Sequence, residues 1–198
     1  MAFIGLRHPV FAPITTETAG SAIVYGTGMV IGHAISANLT KTLNTNGLDG
    51  DDVQIESDNS EVSYSVELGV DDLLDTVRAA LLGEEYTAAT TGSNATPATL
   101  EETDAASPYV GFGYIRVRQK NGARQYQAVW CHKIQFGETS EQATTKKSSG
   151  IEWQTPTITG TGMGVYIDNS GKARFRKKAT FATEAEAIDW LDNLAGIQ

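Results

Sequence analysis

Along most of this chain the apolar positions recur at every second residue. Val62, Tyr64, Val66 and Leu68 alternate with Ser and Glu, and Ile115 and Val117 alternate with Tyr114, Arg116 and Arg118. A period of two sends neighbouring side chains to opposite faces of a strand, so these stretches read as β. The best-patterned hairpin is predicted over 107–136. There "KNG" supplies the tight turn, and Tyr126, Ala128, Trp130, His132, Ile134 and Phe136 share one face of the returning strand, with Cys131 packed on the other beside Val129. A second hairpin is expected where Val53 and Ile55 are joined through "SDNS" to the run from Val62 to Leu68, and a third around "DNSG" in "MGVYIDNSGKARFRKKATF". "SAIVYGTGMVIGHAISANLT" reads as one or two strands. In "IEWQTPTITGT", Ile151, Trp153, Thr155, Thr157 and Thr159 share a face. Pro156 can donate no ladder bond, which predicts an edge or a bulge there.

Two stretches change period. "VDDLLDTVRAALLG", 70–83, puts Leu73, Leu74, Val77, Ala80 and Leu81 on one helical stripe, with Asp71, Asp72 and Asp75 in the first turns and Gly83 at the cap. "TEAEAIDWLDNLAG" opens with Thr183 and Glu186 at capping-box spacing and carries Ala187, Trp190, Leu191 and Leu194 on a stripe. Unpatterned sequence is expected as an N-terminal arm, 1–19, containing Pro9 and Pro13, and as long loops at about 40–52 and 84–107. The sum predicts a mainly β chain, a β-sandwich or barrel with one flanking α-helix and a C-terminal α-helix. At 198 residues it is expected to form a single domain over 1–198.

Charge narrows the function. The net charge is −9, whereas affinity for nucleic acid comes mainly from Lys and Arg neutralising phosphates. The only cysteine, Cys131, excludes an internal disulfide. The start "MAFIGLRHPVF" lacks the apolar run of a signal peptide, so synthesis in the cytoplasm is expected. No apolar run approaches the ~20 residues of a membrane span.

Candidate chemistry fails on its own requirements. From Asp49 to Asp75 the chain carries ten acids and no Lys or Arg, but a calcium loop fails because Val53 occupies a ligand position and Gly50 is misplaced. His8, His33 and His132 are too far apart for a ligand spacing, and His132, beside Trp130 and Ile134, reads as a half-buried structural histidine. "YGTGMVIG" and "GTGMG" lack the Lys-Ser/Thr and the following helix of a phosphate loop, so their glycines read as strand bends or close backbone contacts. No nucleophile motif is present. No catalytic, metal or cofactor site is expected, and the chain is not expected to be an enzyme.

What remains is segregated charge. Acids gather at Asp49, Asp51, Asp52, Glu56, Asp58 and Glu61, and cations at Arg116, Arg118, Lys146, Lys147, Arg174 and Arg176. Solvated strand edges account for such cations, since Lys blocks unwanted pairing. So does head-to-tail self-association, in which one face meets a different face of the next copy.

Taken in order, the "GL" near the start, the "DD" entering a strand, "DDLLDTVRAALLG", "SPYVGFGYIRVRQKNG…YQAVWCHKIQFGE" and "ATTKKSSGIEWQTPTITGT" resemble the major tail proteins of long-tailed bacteriophages. The resemblance implies a β-sandwich flanked by a helix and hexameric rings stacked into a tube. It implies, as partners, further copies of the chain, a tape-measure protein, and tail terminator and baseplate proteins, with DNA passing through without specific binding. The implied location is the virion tail, assembled in the bacterial host cytoplasm. Asp49, Asp51, Asp52, Glu56, Asp58 and Glu61 are expected to face the lumen or the ring-to-ring seam, and the cations to lie between subunits. The alternative is a non-catalytic β-sandwich binding or adhesion module on a virion or cell surface.

Overall fold

A computed structural model of the chain describes residues 2–51, 53–92, 95–140, 145 and 154–197. It is mainly β, as the alternation predicts, with two helices. The strands are β1 (Ala2–Thr16), β2 (Val24–Tyr25), β3 (Met29–Val30), β4 (Ala34–Leu43), β5 (Gly47–Gly50), β6 (Val53–Ser57), β7 (Glu61–Val70), β8 (Glu85–Thr87), β9 (Thr99–Glu101), β10 (Tyr109–Lys120), β11 (Ala123–Ser140), β12 (Thr157–Met163) and β13 (Arg176–Phe181). The helices are α1 (Asp75–Leu82) and α2 (Glu184–Ala195). One large antiparallel sheet runs β2-β1-β10-β11-β12-β7-β4, with β3 on β1 and β13 on β11. It folds over itself, so that Phe11 of β1 shares a buried cluster with Val66 and Leu68 of β7 and Phe136 of β11.

β10 and β11 form the expected hairpin, turning at Asn121 and Gly122, both at positive φ. Their ladder slips once, where Val110 pairs with Ile134 but Phe112 pairs with Cys131. That bulge reverses the faces of β11. Ala128 and Trp130 pack toward α2, whereas Val129, Cys131, Ile134 and Phe136 enter the main core. The single face expected from Tyr126 to Phe136 is therefore split, because an extra residue resets the period of two.

α2 covers the outer side of β1, β10 and β11 with Ala187, Leu191 and Ala195 against Val10, Ala12, Ile115 and Trp130. Its N-terminus carries the capping box expected of Thr183 and Glu186. An ion pair and a hydrogen-bond contact fasten it to β1: Arg7 to Glu184 at 2.7 Å, and His8 Nε2 to Asp192 Oδ1 at 2.8 Å.

The structure corrects several expectations. Residues 2–16 are not an irregular arm but a strand paired with β10 on one side and with β2 and β3 on the other. The ladder slips between Arg7 and Val10, where Pro9 falls, which is how a strand tolerates proline. Pro9 and Pro13 still offer their carbonyls, to Ile31 N–H at 2.9 Å and Gly26 N–H at 2.8 Å. The loop expected over about 40–52 contains the end of β4 and all of β5, and the one over 84–107 contains the β8–β9 pair. Val53–Ser57 pairs with β5, whereas β7 pairs with β4 and β12, so the hairpin expected through "SDNS" does not form. β12 begins after Pro156 and lies between β11 and β7, not at an edge. Around "DNSG" only Val165 and Arg174 bridge, and β13 crosses to β11. α1 starts at Asp75 behind Leu74, so Asp71 and Asp72 lie before it, and Leu74 is exposed.

Candidate assembly surfaces

The acidic stretch builds a ribbon that stands away from the core. Leu43 pairs with Glu61, Asn44 N–H donates to Ser60 O at 2.8 Å, Asp58 N–H donates to Asn46 O at 2.9 Å, and Gly47 pairs with Ser57. The β4–β7 ladder thus continues into β5–β6 as two strands, with no third among the described residues. All five residues of β6 are exposed. Three large apolar side chains are in water: Leu48 at 61%, Val53 at 66% and Ile55 at 64% of their full exposure. A lone two-stranded hairpin is marginal in water, and these side chains would be covered in a stable arrangement.

The expected acidic residues separate into distinct roles. Asp58 fastens the ribbon's base, accepting from Ser60 N–H at 2.9 Å and from Asn44 Nδ2 at 2.8 Å. Those bonds, the Ser60 backbone bond foremost, hold its carboxyl below the usual carboxylate range. Glu61 is turned back into the body, pairing with Lys41 at 2.7 Å and with Arg176. Asp51, at φ 52°, and Glu56 are exposed and have no partner among the described residues. The backbone of Asp49 lies in β5, and Asp52 is outside the described residues. Further on, Asp71 accepts from His33 N–H at 2.8 Å and meets His33 Nδ1 at 2.8 Å, tying the start of β4 to the end of β7 rather than capping α1.

Of the expected basic residues, Arg116 and Arg176 come together, and Lys41 and Lys178 join them. Burial first, and then Arg116, Arg176 and Lys41, push the Lys178 ammonium below its ordinary value. Arg118 bonds Thr180 at 3.2 Å, and Arg174 pairs with Asp168 at 3.0 Å. Lys146 and Lys147 lie outside the described residues, as do Ile151 and Trp153.

The outward face of β4, β7 and β12 is a third surface. Asn38, Glu67 and Thr159 lie in register across the three strands, as do Thr40, Ser65 and Thr161, followed by Gln135 on β11. Hydroxyl and amide groups dominate it, with Glu67 ionisable and no Lys or Arg among these positions. Its underside explains the glycines of "TITGTGM". Gly160 and Gly162 face inward beneath Phe136 and Tyr64, and a methyl group at Gly162 would stand 1.9 Å from the Tyr64 ring. These are close packing positions, as expected, in a strand that offers threonine outward and bare backbone inward.

A cleft of about 390 Å³ lies under α2. Tyr25, Trp130 and His132 line it together with Arg174 and Lys177. Tyr25 meets Trp130 edge to face at 5.2 Å and donates to His132 O at 2.9 Å, and burial pushes its phenol up to about 12. His132 is more buried than expected, with 9% of its surface exposed. Burial, then Lys177 and Arg174, hold its imidazole below the ordinary value.

Among the described residues no three His, Cys, Asp or Glu side chains are grouped to hold a metal ion, and no helix is long and apolar enough to cross a membrane. Comparison with protein-family models and with curated proteins finds no match.

Proposed function

We propose that this chain is a structural, non-catalytic subunit that assembles with copies of itself into stacked rings, forming the tail tube of a long-tailed bacteriophage. The observation that carries the reading is the β5–β6 ribbon. A two-stranded extension with Leu48, Val53 and Ile55 in water is costly for an isolated monomer and useful for a subunit that buries them against the next copy. The sequence resemblance points to the same class of protein.

The surfaces suit the two tasks of such a subunit. A wall that lets DNA slide must offer few cations, because each Lys or Arg on a phosphate adds affinity. The hydroxyl-rich face of β4, β7 and β12 meets that condition and is the preferred lumen wall. Asp51 and Glu56, on a ribbon with exposed apolar neighbours, suit the seam between copies, whereas Glu61 is engaged by cations of its own chain. Hexameric rings, a tape-measure protein threaded through the tube, terminator and baseplate contacts, and residence in the virion tail after assembly in the bacterial cytoplasm follow from the same reading.

A binding or adhesion module would use the cleft under α2. Glycan recognition calls for open aromatic faces, but Trp130 is fully buried and Tyr25 spends its hydroxyl on a backbone carbonyl. Negative-stain imaging of the purified protein at increasing concentration decides between the two. Rings or hollow tubes are expected; a strictly monomeric protein that retains a glycan would overturn the tube reading.

A further inference from the structure

Where the end of β4 and the start of β7 come against β13, Lys41 and Arg176 converge on the carboxylate of Glu61, and Arg116 and Lys178 stand beside them. Lys41 Nζ lies 2.7 Å from Glu61 Oε2, and Arg176 engages the other oxygen of Glu61 while its guanidinium sits 4.8 Å from the centre of the Tyr64 ring. Among the described residues Arg116 has neutral partners, donating to Gln127 Oε1 at 2.7 Å with its guanidinium 4.3 Å from the centre of the Phe3 ring. Lys178 is exposed and has no carboxylate among the described residues. Four neighbouring cations with one carboxylate between two of them leave a positive patch on a chain whose net charge is −9. Burial first, and then these neighbouring cations, disfavour the charged form of Lys178. Such a patch attracts a carboxylate-bearing partner and rejects a cationic one.

The same chain supplies the complement. The ribbon presents Asp51 and Glu56 without partners among the described residues, beside exposed Leu48, Val53 and Ile55. It is rooted beside its own patch, at Glu61, but the ladder runs on without a break from Leu43–Glu61 to Gly47–Ser57, so the tip is carried about 20 Å away at roughly 3.3 Å per residue. We infer that the patch of Lys41, Arg116, Arg176 and Lys178 receives the acidic ribbon of a second copy, Asp51 and Glu56 meeting the cations and the ribbon's apolar side chains covering their aliphatic stems. This rests on the self-assembly reading above and names the residues that carry it. The contact is head-to-tail, each copy both giving a ribbon and receiving one.

Charge reversal and its rescue test the pairing. The ribbon variant is Asp51→Asn with Glu56→Lys; Asn tolerates the positive φ at 51. The patch variant is Lys41→Gln with Lys178→Glu. Sedimentation and imaging at low salt should show each variant assembling only at concentrations about tenfold or more above wild type. An equimolar mixture should recover mixed assemblies, because the reversed ribbon finds the reversed patch. Assembly of either variant at the wild-type concentration overturns the inference, as does failure of the mixture when both variants keep native circular dichroism. Should the double patch variant unfold, Lys178→Gln alone replaces it, and a wild-type onset of assembly has the same meaning. A wild-type chain that never associates overturns the self-assembly reading itself. A wild-type chain that assembles while its variants are unaffected overturns only the pairing.

Discussion

At the scale of single residues, the buried groups with polar atoms set the conditions under which the fold is most stable. His132 carries its proton less readily in the folded chain than in the unfolded one, burial being the first cause and Lys177 and Arg174 the next. A histidine whose folded value is depressed leaves stability intact above the unfolded value near 6.5 and removes it as pH falls from there toward the folded value. Denaturant unfolding measured from pH 7.5 to 5 should therefore show stability declining on the acid side, and His132→Asn should flatten part of that decline. An identical slope in the variant would show that other groups govern it. Cys131 is inert for a related reason: full burial pushes its thiol up to about 12, which keeps it protonated and packed.

At the scale of elements, legibility followed local periodicity. α2 could be read because its signals are local: a capping box, a stripe with a period near 3.6, and Gly196 at φ 66° as its cap. Thr183→Ala should remove one side-chain acceptor from the first turn and cost about 1 kcal/mol, seen as a melting midpoint lower by about 2–4 °C. An unchanged midpoint would mean that the contacts of Leu191 and Ala195 alone fix the helix. The β10–β11 hairpin was legible for the same local reasons. β1 was not, because Pro9 and Pro13 argue locally for an arm and only the distant β10 supplies a partner. Nor was the partner of Val53–Ser57 legible: "SDNS" has turn chemistry, but Asp58 uses it to close the base of a ribbon rather than to reverse a strand.

At the scale of the whole molecule, the charge was legible as two segregated sets but not as surfaces. The sequence placed Asp58 and Glu61 with the free acids, yet tertiary pairing consumes both. Local pattern did not show that β4 and β13 bring Lys41 and Lys178 to Arg116 and Arg176. The ribbon also divides the molecule into a body and an extension with no shared core. Replacing residues 45–59 by Asn-Gly, a pair suited to a two-residue hairpin turn, should leave the melting midpoint of the body within a few degrees of wild type and abolish higher-order assembly. Retained assembly would move the contact elsewhere; collapse of the body would show that the ribbon supports it.

The pairing of β1 with β10 also sets an order of events during synthesis. Ala2 faces Gln119 and Pro13 faces Val110, so the first strand leaves the ribosome long before its central neighbour exists. At the usual 5–20 residues per second it waits on the order of 5–20 seconds. Until then Val10, Phe11 and Ala12, which end fully buried, can meet β3 but not β10, and the closure of so long a loop slows completion of the sheet. The nascent chain is thus most open to wrong pairings before β10 appears, and a chaperone that holds extended apolar segments would find its site at residues 10–12.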